Sequence, residues 1–437
     1  MDFIFAVVAE KDGELMLDGA LRICIGSQSF YPFAGGVSYY LYYLTRELLK
    51  YGVDVTEVHL GKPPIPSFEV IEGIKVYRVG FDKAAEWEKY AFFKENLYEQ
   101  IHGLKTEGEW SWEGFDVFQS FSKLIASKID ELHELDPFDV INVHDWQVFF
   151  VPDFLQAGAP LVYTWHVPFT EKMGEKLGSM VAKRLSKCDA VVFSTQAYVK
   201  HAERLGVPRR KIKCIHPFVD VDRFNIPNSE GEKFKEELGI PADGEVVLCV
   251  ARIDPVKSHD DLLKAFTIVK EARRWANLVC VGNGSLSENV LGIRDERKEK
   301  IFNLVEELGL KEDVIFTGYL PPELLPKAYK MADVVVLPSK MEGFGLAITE
   351  AMASGRPVVA YNVGGVSVQI EDGVNGFLVP PGDVEAFADR IIRLLSNKAL
   401  RSRMGLAARR IAEEKFNVKI AVKKYLNIFK EAMERRK

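Results

Sequence analysis

Short runs rich in valine and isoleucine recur along almost the whole chain, separated by stretches of helical pattern. In the first half they are "ALRICIG" (20–26), "DVTEVHL" (54–60), "IKVYRVG" (74–80), "DVINVHD" (139–145), "PLVYTWH" (160–166) and "DAVVFST" (189–195). In the second half they are "EVVLCVAR" (245–252), "NLVCVGNG" (277–284), "DVIFTGY" (313–319), "DVVVLPS" (333–339) and "RPVVAYN" (356–362). Runs that are apolar at nearly every position suit strands buried on both faces, and helices between them suit parallel crossover connections. The expected class is α/β, with a doubly wound Rossmann-like sheet in each half. A length of 437 residues exceeds what one core usually serves, which also argues for two domains.

The polar, turn-rich "HPFVDVDRFNIPNSEGEK" (216–233) reads as the linker, giving an N-terminal domain over 1–216 and a C-terminal one over 217–415. Residues 82–135 interrupt the rhythm, with Trp87, Trp110 and Trp112 among charges; packed helices are the safer reading, a cover over a cleft the alternative. The opening run Phe3–Ala9 is short, flanked by Asp2 and Glu10, and has no basic stretch before it. It fits an added strand paired through Lys11-Asp12-Gly13-Glu14 rather than a signal peptide. Five cysteines at 24, 188, 214, 249 and 280 form no close pairs and read as small core residues of a cytoplasmic protein. A net charge of −6 argues against general nucleic-acid binding, and no run approaches a membrane span.

Ligands of open parallel sheets bind beyond the carboxyl ends of the strands. The unusual residues fall there repeatedly. Run 20–26 exits into "SQSFYPFAGGVSYY", run 139–143 into His144-Asp145-Trp146, and run 160–165 into His166. In the second half the exits are Arg252 with "IDPVKSHDD", Gly282-Asn283-Gly284, "PSKMEGFG" and "NVGGVS". If the two carboxyl edges face each other, all these residues surround one cleft.

Arg252 and Lys257 place two cations on one strand-to-helix turn, with Ser258 positioned to cap the following helix. Gly343 and Gly345 let backbone amides approach a ligand at a helix start, where the helix dipole favours anions, and Gly35-Gly36 offers the same in the first half. Glu342 and Glu350 lie in "MEGFGLAITEAMASG" (341–355). Glu350 shares a helical stripe with Leu346, Ala347 and Ala353, so it is either a structural buried glutamate or one whose partner is a ligand. Cations for a diphosphate and carboxylates for hydroxyls together match a nucleotide sugar. Taken singly, Arg252 or Lys257 reads as a surface charge, the glycine pairs as tight turns, and His144 or His166 as core histidines. Their shared position after strands favours the functional reading.

The sequence resembles the retaining GT-B glycosyltransferases of glycosyltransferase family 4, over nearly all the chain beyond the first twenty residues. The most specific part is "MEGFGLAITEAMASGRPVVAYNVGG", similar to the family's glutamate-seven-residues-glutamate motif and its glycine loop. The resemblance implies a GT-B fold, two doubly wound Rossmann-like domains facing across a cleft, with a C-terminal helix (416–437) crossing back to the first domain. It implies that Glu342 contacts the donor sugar, that Glu350 contacts the ribose, and that Arg252 and Lys257 stabilise the departing diphosphate. Gly282, Gly343, Phe344, Gly345 and Leu346 complete the donor set, and Gly35 and Gly36 the loop at the diphosphate and acceptor. His166 in "YTWH" matches the histidine near the reacting carbon, and His144 and Asp145 in "VHDW" are acceptor-side candidates.

The implied activity is metal-independent transfer of a sugar, with retention, from a UDP-, ADP- or GDP-sugar to an acceptor hydroxyl. The nucleotide sugar is a co-substrate and no cofactor is obligatory. The rivals are a GT-B sugar-nucleotide 2-epimerase and a non-catalytic nucleotide-sugar-binding protein. "SFYPFAGGV" is similar to the loop of transferases that begin glycosylphosphatidylinositol synthesis and lacks the "KTGGL" of bacterial glycogen synthases. The base, the sugar and the acceptor stay open. The tail "KKYLNIFKEAMERRK" reads as a solvated helix face, with peripheral contact at an acidic membrane as the alternative.

Overall fold

The computed structural model describes residues 8–11, 14–17, 21–30, 35–105, 111–282 and 296–436. The chain divides into two compact units, Met1–Pro217 with Val418–Lys437, and Phe218–Asn417. The expected limits at 216/217 and 415/416 therefore move to 217/218 and 417/418.

At the N-terminus β1 (Val8–Lys11) and β2 (Glu14–Leu17) form a separate antiparallel hairpin. Of the expected strand Phe3–Ala9, Val8 and Ala9 fall in β1; residues 3–7 and the turn residues Asp12 and Gly13 lie outside the described residues. The main sheet of the first unit contains β3 (Arg22–Gly26), β4 (Asp54–Leu60), β5 (Phe68–Ile71), β6 (Ile74–Val79), β7 (Val140–His144), β8 (Leu161–Trp165), β9 (Ala190–Phe193) and β10 (Ile212–Cys214). Its order is β10-β9-β8-β7-β3-β4-β6-β5, parallel throughout except for the β5–β6 hairpin. The second sheet contains β11 (Glu245–Val250), β12 (Ala276–Val281), β13 (Val314–Gly318), β14 (Val334–Leu337), β15 (Val358–Tyr361) and β16 (Gly376–Val379). Its order is β13-β12-β11-β14-β15-β16, all parallel.

The central strands explain the sequence pattern. Every residue of β7, β8, β14 and β15 is buried, because helices cover both faces. The chain reverses its direction across the sheet between β3 and β7 in the first unit, and between β11 and β14 in the second. Loops leaving adjacent strands diverge at such points and open a crevice at the carboxyl edge.

Helices Ala84–Ile101 and Phe115–Leu135 account for the aromatic stretch. Tyr90, Phe93, Phe118 and Phe121 are core residues, with Tyr90 stacked on Phe118 at 5.8 Å and Phe93 tilted against it at 5.2 Å. Trp112 stays exposed, and Trp110 lies outside the described residues. The linker reading needs correction. Phe218, Val219, Val221 and Phe224 are at most 1% exposed, and Val219 N–H bonds to the Phe416 carbonyl at 3.0 Å. This segment is therefore core of the second unit. Its polar residues sit between buried apolar ones, which hid the pattern.

Helix Val418–Glu434 belongs to the first unit and packs on helix Gly36–Lys50 and on β7 and β8. Its buried Val418, Ala421, Val422, Tyr425, Leu426 and Phe429 recur at helical spacing and form one apolar face. All five cysteines are unpaired, four of them buried and Cys214 half-buried.

Candidate active site

In the second unit the loops leaving β11 and β14 meet at the sheet's reversal point. A backbone bond from Lys340 N–H to the Val256 carbonyl (2.8 Å) ties them together. Lys257 donates to Glu342 Oε1, and Ser339 Oγ donates to the same oxygen at 2.9 Å. Glu342 is only 8% exposed. A carboxylate at that depth needs a counter-charge, and Lys257 supplies it. Arg252 is more open, its guanidinium 3.8 Å from Asp254, and Asp254 in turn accepts from Val256 N–H at 3.0 Å. Ser258 stands at the N-cap of helix His259–Ala272, but its hydroxyl makes no capping bond. Its φ of 50° turns the residue into the left-handed region, so the expected cap is corrected to a backbone turn.

Glu350 is 5% exposed and accepts from the Tyr329 hydroxyl at 2.7 Å. Burial raises its carboxyl to about 7, partly opposed by that hydrogen bond. Gly345, with φ 90°, opens helix Leu346–Ala353 in a conformation that suits glycine. Gln369, 2% exposed, pins the preceding turn by donating to the Phe344 carbonyl at 2.5 Å and accepting from Thr349 at 2.7 Å. The Phe344 ring is buried edge-on against Phe416, so only its backbone faces the loop. Leu346 is half-buried at the first helical position. Gly282 has a packing reason of its own: a Cβ there would lie 2.2 Å from the Ala251 carbonyl oxygen. Asn283 and Gly284 lie outside the described residues.

In the first unit, His144 closes β7 and His166 follows β8, with His144 Nδ1 and His166 Nε2 3.0 Å apart. Burial lowers both, that of His166 to about 3, and the imidazoles of His166 and His59 further disfavour charge on His144, so the pair is neutral near pH 7. The Tyr40 ring meets His166 edge-on at 4.5 Å. The Tyr40 hydroxyl lies 2.7 Å from that of Tyr425, which is 3.0 Å from Thr164 Oγ1. The C-terminal helix thus helps to hold the histidine pocket. Asp145 is 3% exposed with φ 78°, a value few residues other than glycine adopt. Burial raises its carboxyl to about 7. Gly35 and Gly36 begin helix Gly36–Lys50, while residues 31–34 of the preceding loop lie outside the described residues.

The sequence did not single out Tyr40, Tyr329, Gln369 or Tyr425, nor Ser27, whose Oγ lies 3.0 Å from His59 Nδ1 at the β3 exit. Ser27 and His59 lie at strand exits and carried a signal in principle; Tyr40, Tyr329, Gln369 and Tyr425 lie inside helices, where they read as core. Among the described residues no group of three His, Cys, Asp or Glu side chains is placed to hold a metal ion.

Two Rossmann-like parallel-sheet domains, with their polar and glycine-rich residues at the carboxyl edges, define the GT-B class of glycosyltransferase. Family comparison agrees with that class. Glycosyltransferase Family 4 matches residues 34–223, and Glycosyl transferases group 1 matches residues 230–411. A glycosyltransferase of Methanocaldococcus jannaschii is 27% identical over 418 residues, covering 92% of this chain and 95% of that protein. A D-inositol 3-phosphate glycosyltransferase of Saccharomonospora viridis is 32% identical over 321 residues, covering 68% and 70%. Anabaena HepE, solved with UDP and glucose, shares the fold with a TM-score of 0.72 at 20% identity, over 93% of this chain and 98% of that one. The chain belongs to glycosyltransferase family 4.

Proposed function

We propose that the chain transfers a sugar from a nucleoside diphosphate sugar to an acceptor hydroxyl, with retention at the anomeric carbon and no obligatory metal. The carrying observation is the Lys257–Glu342 pair at the reversal point of the second sheet. It sets a cation suited to a diphosphate beside a carboxylate suited to sugar hydroxyls. Arg252 and Lys257 take the diphosphate, with the amides of Gly343–Leu346 at a helix start favouring the same anion. Glu342 accepts from the sugar, and Glu350, steadied by Tyr329, accepts from the ribose.

The reaction breaks the bond from the anomeric carbon to the β-phosphate oxygen and forms one to the acceptor oxygen. The acceptor proton goes to the leaving diphosphate, from the face that the diphosphate leaves, so no enzymic nucleophile is required. Charge builds on the diphosphate as the bond breaks, and fixed cations lower that barrier electrostatically. On this reading the first unit's edge serves the same transfer: Gly35 and Gly36 near diphosphate and acceptor, neutral His166 near the reacting carbon, and His144 and Asp145 toward the acceptor.

Membership of a family whose relatives include D-inositol 3-phosphate glycosyltransferases makes a phosphorylated inositol the first acceptor to try. UDP-glucose is the first donor, followed by ADP- and GDP-sugars. The test measures diphosphate release for each pair in the presence of a chelator, with the product anomer read by NMR. Acceptor-dependent release is expected, and Arg252→Ala should lower turnover by about 10²-fold. Release indifferent to every acceptor, or Arg252→Ala equal to the parent, rejects the transferase reading.

A further inference from the structure

A second cluster of positive charge lies at the opposite, amino edge of the second sheet, where β14 and β15 begin. A cavity of about 500 Å³ there is lined by Lys330, Arg356, Lys398, Arg401 and Arg409, with Asp333 as its one carboxylate. That volume falls within the range of small-ligand pockets. Two of the cations have structural employment. Arg401 pairs with Asp333 at 3.1 Å and donates to the Leu394 and Leu395 carbonyls, each at 3.0 Å. Arg409 pairs with Glu413 at 2.6 Å and donates to the Val221 carbonyl at 3.0 Å.

The others are left over. Arg356 donates through Nη2 to the Lys330 carbonyl, but its Nε is buried with no partner among the described residues. The hydroxyl of Ser354, on the cavity wall, is also buried and unpartnered. No hydrogen bond or ion pair of the described residues engages the ammonium of Lys330 or Lys398. Burial, together with the charges of Arg356 and Arg409, pulls Lys330 below the ordinary lysine value, and burial does the same to Arg356. Gathered cations of this kind are costly unless an anion completes the set.

We propose that this cavity is a second ligand site that takes a phosphate monoester, with Arg356, Lys330 and Ser354 as its recognition groups. A monoester carries close to two negative charges near pH 7 and three acceptor oxygens. The guanidinium fork of Arg356 can meet two of them, and Lys330 and Ser354 supply further donors. The site is separate from the Lys257–Glu342 edge. Helix Leu346–Ala353 has its first turn at that edge and its last beside this cavity, a rise of about 12 Å. The monoester reaches it either as a free metabolite or as a lipid headgroup.

The test uses the full chain with UDP present, so that the diphosphate edge is filled. Soluble glycerol 3-phosphate is titrated by calorimetry, and phosphatidylcholine vesicles doped with phosphatidic acid are tested by co-sedimentation. At least one probe should bind the parent. Lys330→Gln and Ser402→Glu, which places a like charge on the cavity wall, should each weaken that binding about tenfold or more and leave UDP affinity unchanged. Glycerol 3-phosphate alone would mark a free metabolite, and vesicles alone a headgroup; both support the site. Binding of neither probe, or equal binding by parent and both folded variants, overturns it. Because the readout is the difference between parent and variants, it stays legible even if the donor assignment fails.

Discussion

Glu350 carries a carboxylate into a buried helix, where among the described residues the Tyr329 hydroxyl is its hydrogen-bond partner, and that burial gives the site a measurable pH response. Its carboxyl, raised to about 7, is largely protonated below that pH and ionised above it. Ribose hydroxyls donate to the ionised form, so UDP affinity should rise with pH by up to about tenfold per unit below 7 and level off above. Calorimetry across that range checks this; Glu350→Gln should remove the slope, and an unchanged slope in the variant would assign the titration elsewhere. Asp145, also raised to about 7, acts on stability. Between the ordinary carboxylate value near 4 and about 7, the folded state keeps a proton that the unfolded state has released. Stability is therefore lost as pH rises through that window. Asp145→Asn, close in size and shape to the protonated carboxyl, should flatten the loss and raise stability above pH 7 by on the order of 1–3 kcal/mol, read from denaturation midpoints. The sequence exposed Glu350 as an odd residue on an apolar stripe. It could not reveal Tyr329, whose phenol arrives from another helix through packing alone.

At the scale of elements, the long buried strands were legible because burial on both faces leaves an unbroken apolar run. Three edge strands, β5, β10 and β16, were not. β5 lies antiparallel at an edge with a half-exposed pattern, and β10 has three residues, too few to stand out from a loop. The C-terminal helix was legible as a helix, whereas the contribution of Tyr425 to the histidine pocket was not. Tyr425→Phe tests that contribution. It leaves the Tyr40 and Thr164 hydroxyls one partner short in a buried site, which should cost about 1–2 kcal/mol. A lowered denaturation midpoint with a near-parental circular dichroism spectrum is the expected result; no shift would mean that the three hydroxyls are not held as a buried set.

For the whole molecule, each unit repeats one solution. A parallel sheet reverses direction at its centre, and the loops diverging there gather charges and glycines that a core would reject. That logic made the carboxyl edges readable in the sequence as sites before any coordinates, because strand exits can be placed from apolar runs alone. The amino-edge cation cluster was invisible to it, since Lys330, Arg356 and Arg409 come from separate helices and a strand entry. The second unit thus holds two groups of positive charge, and the central claim is that the diphosphate of the donor goes to the one at the carboxyl edge. A crystal structure with UDP measures this directly. The account predicts phosphate oxygens within about 3 Å of Arg252 and Lys257, with the ribose hydroxyls on Glu350. A diphosphate seated instead among Lys330, Arg356 and Lys398, with the Lys257–Glu342 edge empty, would contradict it.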